Sequence, residues 1–182
     1  MAGPATLESL PTHDDEGALL AVVEATQGTR HKLKYRSEWK AFVLHGQLPL
    51  GLSFPYDFGF LPSTRGDDGD PLDVLVLADE ALPVGAIVPS RLVGVIEAEQ
   101  QDEGAAEPER NDRLLAVATK SHRYGECRDL GDVADNVLAE IEQFFVAFNA
   151  QKGGRFRPLA RRDAQAATRL VDAGERRFAA GA

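Results

Sequence analysis

The stretch Asp68-Gly69-Asp70-Pro71-Leu72-Asp73-Val74-Leu75-Val76-Leu77 joins two patterns. From Leu72 onward it is a nearly unbroken apolar run of strand length, which reads as a buried β-strand. Before that it is a glycine-punctuated turn carrying Asp68, Asp70 and Asp73. Gly69 allows backbone angles that a side chain would forbid, so the turn can bring carboxylates together. Converging carboxylates repel and raise one another's pKa unless a cation sits among them. Hard oxygen donors of this kind favour Mg²⁺ or Mn²⁺. Taken alone, such a D-x-D turn is more often a solvated acidic loop.

On either side of this stretch the chain reads as short strands. Leu19 to Val23, Lys34-Tyr35 and Ala41 to Leu44 precede the aromatic segment Phe54 to Leu61. Ala86 to Val88, Leu92 to Ile96 and Leu114 to Ala118 follow, the last two pairing across an acidic connection. Turn-punctuated strands at this spacing predict a small barrel or a strongly bent sheet. Val133, Val137, Leu138, Ile141, Phe144, Phe145 and Phe148 then recur at steps of three and four, the apolar face of a helix. Asp132 is its expected N-cap and Gly153-Gly154 its stop. A second helix is expected over residues 163–179. Residues 1–18 lack periodicity and are expected to be a flexible tail, leaving residues 19–182 as one α+β domain.

Twenty Lys and Arg against 29 Asp and Glu give a net charge of −9 over 182 residues. That balance disfavours nucleic acid and anionic membranes as partners. A single cysteine, Cys127, excludes an intramolecular disulfide and suits a reducing compartment. With no secretory pattern at the N-terminus and no long apolar run, a cytoplasmic protein is expected. His13, His31, His45 and His122 show no metal-binding spacing, and no P-loop or G-x-S-x-G is present. The acids cluster: Asp67 to Glu80 and Glu97 to Asp112 hold 13 of the 29. Divalent cations gathered there would invert the local sign and let an acidic chain hold an anion.

The whole string DGDPLDVLVL resembles the signature of the soluble family I inorganic pyrophosphatases. Val22-Val23-Glu24 followed by Lys34-Tyr35 resembles that family's V-x-E…K-Y opening, and residues 54–60 (FPYDFGF) its Y-P-x-x-Y-G-aromatic segment. Leu92 to Val95 resembles the strand that follows. Asn111 to Leu114 falls where the family has D-x-K-L, and residues 142–149 (EQFFVAFN) resemble its helix H-F-F-x-x-Y-K. The likeness runs in order from about residue 20 to 160. It implies an OB-like five-stranded β-barrel with flanking C-terminal helices, Mg²⁺-dependent hydrolysis of pyrophosphate to two phosphates, and a homo-oligomer.

Carried over residue by residue, the resemblance implies that Asp68 and Asp73 contact metal and that Asp70 orients or deprotonates the attacking water. Glu24 is implied as a supporting acid, and Lys34 and Arg113 as phosphate ligands. A straight register puts Gln100 and Asn111 where the family has metal-binding aspartates. A register with a longer strand makes Asp102 a ligand instead, with Asp112 or the Asn111 carbonyl oxygen supplying the other. Other departures touch the phosphate grip: Arg36 reverses an acid, His45-Gly46 replaces an arginine, and Phe54, Phe58, Phe148 and Asn149 stand for tyrosines and a lysine. Phenylalanine keeps the packing and loses the hydroxyl. The alternative to a hydrolase is therefore a pseudoenzyme of the same fold that binds metal or phosphate. A phosphohydrolase acting on another phosphoanhydride is the third reading.

Overall fold

The computed structural model describes residues 6–181. The strands are β1 (Leu19–Ala25), β2 (His31–Arg36), β3 (Ala41–Gln47), β4 (Asp57–Phe60), β5 (Asp73–Leu77), β6 (Ile87–Gln101), β7 (Glu109–Arg110), β8 (Arg113–Ala118) and β9 (Arg155–Arg162); the helices are α1 (Asp135–Ala150) and α2 (Ala164–Ala180). Following the hydrogen-bonded pairs β1–β4–β5–β8–β6 returns to β1, so five strands close a ring. The ring is the expected five-stranded barrel, with β7 and β9 added along β6 and the β2–β3 hairpin standing apart.

Why the motif strand is apolar throughout is plain from its neighbours. Val74 and Val76 belong to an apolar cluster shared with Ala167 and Val171 of α2. Leu75 and Leu77 point the other way, into a cluster shared with Leu138, Ile141, Phe144 and Phe145 of α1. Both faces of β5 are covered, so alternation disappears. Each of these fully buried side chains stabilises the fold by roughly 1.5–3 kcal/mol relative to exposure.

Several expectations are corrected. The two strands read at 86–88 and 92–96 are one fifteen-residue strand, β6. It bends at a bulge by Gly94, where any Cβ would lie 2.4 Å from the Arg162 carbonyl oxygen. Asp132 does not cap α1. It lies in a 3-10 turn, where its carboxylate accepts the amides of Arg128 and Asp129, and Ala134 holds the N-cap position without a side-chain bond. The basic run Arg155 to Arg162 forms β9, an edge partner of β6 that leads into α2. The expected flexible tail is docked over residues 6–18: Thr12 is buried, its hydroxyl donates to the Pro62 carbonyl, and Ser63 donates its amide to Glu8. Residues 1–5 lie outside the described residues. Among the described residues no helix is long and apolar enough to cross a membrane.

Candidate active site

One cavity of about 200 Å³ is walled by the motif loop, the faces of β1, β2 and β8, and the end of α1. Its acidic lip is the turn before β5. Gly66 donates its amide to the Asp70 carbonyl at 2.7 Å, and Asp70 donates its amide to the Asp68 carboxylate at 3.0 Å. Gly69 sits at φ +87°, the left-handed region its sequence position predicted. Thr64 ties the strand entry down, accepting the Leu72 amide at 3.0 Å. Asp68, Asp70 and Asp73 therefore all line the cavity from one loop.

Strand pairing sets the next contacts. β5 and β8 run parallel with Val74 beside Leu114, which brings Asp73 alongside Arg113. The guanidinium donates to the Asp73 carboxylate at 2.9 Å and also to Asn111 and Gln100. It lies 4.7 Å from the Phe145 ring centroid and 5.5 Å from that of Phe156. Its buried Nε has no partner among the described residues. Lys34, on β2, donates to Asp70 at 2.7 Å. The two residues expected to grip phosphate thus sit on the carboxylate expected to handle the water, Asp70, and on one of those expected to hold metal, Asp73. Glu24, on β1, accepts the Tyr35 amide at 2.8 Å and joins the hairpin to the ring. Burial pushes its carboxyl up to about 7, against the pull of that amide.

The second acidic window is placed differently. Gln100 and Asn111 line the cavity, joined by an Asn111 amide to Gln100 carbonyl bond of 3.0 Å. Asp102 lies in an outer recess shared with Asp68, where it accepts the Gln100 side-chain amide. Asp112 faces the opposite flank and is engaged by the Ala98 amide and Arg110. Gln100 and Asn111, the pair of the straight register, line this cavity, and Asp102 and Asp112 do not. Glu97 and Glu99 pair with arginines of β9, and Glu97 also with Arg110. Among the described residues no group of three or more His, Cys, Asp or Glu side chains is gathered as a metal cluster.

Sequence reasoning overlooked Lys32 and Lys152, which face the cavity beside Phe58 and Phe148. Lys32 is two residues from Lys34 on one strand, and that period-two spacing was the available signal. His45 lines the same wall; burial and then the charges of Lys32, Lys34, Lys152 and Arg36 hold its pKa below the ordinary value. Asn149 is buried in α1 and donates its side-chain amide to the Phe145 carbonyl at 2.8 Å.

Comparison with known proteins agrees with this geometry. A family profile described as inorganic pyrophosphatase matches residues 21–179. Among curated relatives, the inorganic pyrophosphatase of Thermus thermophilus is 35% identical over 173 residues, 93% of this chain and 95% of that protein. That of a Nostoc species is 32% identical over 166 residues, 91% of this chain and 95% of its own. A crystal structure of the Thermus thermophilus inorganic pyrophosphatase superposes with a TM-score of 0.86 at 34% identity, covering 96% of this chain and 99% of that one. The Helicobacter pylori inorganic pyrophosphatase structure gives 0.84 at 25% identity, covering 94% and 99%. With its ring of five strands and its carboxylate loop at the strand entry, the chain belongs to the inorganic pyrophosphatase family.

Proposed function

We propose that this chain hydrolyses inorganic pyrophosphate to two phosphates with Mg²⁺, Mn²⁺ being a substitute. The observation that carries the reading is the single cavity in which Asp68, Asp70 and Asp73 meet Lys34 and Arg113. The donor set fits a hard dication: Mg²⁺ is usually held by one or two carboxylates, with water and phosphate oxygens as its other ligands, and Asp68 and Asp73 line the cavity from one loop. Asp68 and Asp73 would hold it. When bound, Mg²⁺ would lower the pKa of a coordinated water below its bulk value and offset charge on the leaving phosphate. Asp70 orients that water and takes its proton as a new P–O bond forms and the bridging P–O bond breaks. A cation on the aspartates would also take over the charge balance that Lys34 and Arg113 now provide, which frees both for phosphate oxygens. Glu24, with its carboxyl near 7, is ready to hold or release a proton at neutral pH.

Phosphate release from pyrophosphate with Mg²⁺ or Mn²⁺ tests the reading, with Asp70→Asn as the control. Metal-dependent turnover well above the variant supports it, and none above the variant overturns it. A second reading, a binding protein of this fold without turnover, is favoured by the amides of Gln100 and Asn111 that hold Arg113 against Asp73. It expects phosphate binding by calorimetry with no release of product. A cytoplasmic homo-oligomer belongs to the same proposal, and light scattering at micromolar concentration checks the assembly.

A further inference from the structure

The cationic side chains of the cavity divide by partner. Lys34 is bonded to Asp70 and Arg113 to Asp73. Lys32 and Lys152 lie across the cavity from that loop and form no ion pair among the described residues. Both meet an aromatic wall instead. The Lys152 ammonium stands 4.1 Å from the Phe148 ring centroid; that of Lys32 stands 5.9 Å from the same ring and 6.0 Å from Phe58. The wall is rigid, because Phe148 stacks on the buried Phe144 with ring planes 3° apart. A ring face attracts a cation but does not cancel its charge. Two like charges around one ring repel, and burial together with Lys32 holds the Lys152 pKa below its ordinary value. Asp102 acts on Lys152, and Asp73 and Glu24 on Lys32, only from beyond ion-pair distance, so among the described residues neither ammonium has a carboxylate in direct contact.

We infer that Lys32 and Lys152, seated on Phe58 and Phe148, form an anion subsite that takes a phosphate group. The inference rests on the pyrophosphate reading and assigns the grip to residues outside the motif. In that role the two ammoniums do by charge what hydroxyls on Phe58 and Phe148 would do by hydrogen bonding. They are also free before any metal arrives, whereas Lys34 and Arg113 are not.

The test titrates inorganic phosphate into the full-length protein by calorimetry, comparing wild type with Lys32→Met and Lys152→Met, which keep an apolar stem over the rings, and with Lys32→Arg and Lys152→Arg. Each Met variant is expected to bind phosphate about tenfold or more weakly. The Arg variants should return to within about threefold of wild type, with melting temperatures equal throughout. In pyrophosphate hydrolysis KM should rise more than kcat falls. Phosphate affinity in both Met variants within about twofold of wild type overturns the subsite, as does a wild type that binds no phosphate at millimolar concentration. A wild type that binds phosphate through both lysines yet hydrolyses nothing supports the subsite and overturns only the hydrolase reading.

Discussion

The two sides of the cavity are built on different principles. The lip from Asp68 to Asp73 is a polar loop in which Asp70 and Asp73 are met by internal cations, Lys34 and Arg113. The facing wall, from Phe58 to Lys152, is an apolar surface on which cations stand without counter-ions. One side pairs two of its three carboxylates internally, and the other presents cations with no directly contacting carboxylate among the described residues. A ligand that brings metal to the first and phosphate to the second would satisfy both at once, which couples the two binding events.

The largest test of this contrast is Asp70→Asn. Loss of a positioned proton acceptor costs about 10²–10⁴-fold in rate, so pyrophosphate hydrolysis in the variant should fall by at least the lower figure, measured as phosphate release at saturating Mg²⁺. Next comes Arg113→Ala, which leaves Asp73 and both amides without their shared donor. Arg113 is buried but the Asp73 carboxylate is about a third exposed, so the loss should fall below the roughly 3–5 kcal/mol of a fully buried pair, read as a lowered urea midpoint. A drop under about 1 kcal/mol would mean that the lip is not held by this pair.

Glu24→Gln keeps an acceptor for the Tyr35 amide and removes the charge. Because the folded carboxyl is raised from 4.5 to about 7, the fold favours its protonated form. Stability from that proton is full below about pH 4.5 and is lost as the pH rises through 7. In chelator, the variant should match wild type near pH 4.5 and be more stable at pH 8, by about 3 kcal/mol at the upper bound. Equal melting curves at pH 8 would remove the titration from the account. The smallest effect is expected for Asn111→Asp. A fourth carboxylate beside Asp68 and Asp73 should tighten Mg²⁺ about tenfold, roughly 1.4 kcal/mol, in a metal titration without substrate.

What the chain reveals before folding follows from how local each signal is. The strand at 72–77 and the two C-terminal helices are legible because their periodicity lies within a few turns of chain. β9 is not, since its arginines pair with Glu97, Glu99 and Glu142 across the sheet and the helix, contacts invisible in a linear run. β6 looked like two strands because its polar middle, Pro89 to Arg91, is where it passes from β1 to β8. In the site, the motif aspartates, Glu24, Lys34 and Arg113 do share one cavity. Asp112 does not reach it because successive residues of an extended chain alternate sides: Asn111 and Arg113 share a face, and Asp112 takes the other. Lys32 and Lys152 were missed because unpaired lysines look alike in a sequence whether they face solvent or a cavity.

β6 also governs the order in which this molecule can assemble. It pairs in turn with β1, β8, β7 and β9, so Leu19 has no second neighbour until Ser90 exists and Val95 none on its far side until Arg162 does. Closing such long loops spends chain entropy before any contact returns it, which makes the ring slow to shut. During synthesis the Asp68–Asp73 loop emerges well before the α1 side of the cavity. A nascent chain can therefore present every residue of the signature and still have nowhere to put a phosphate.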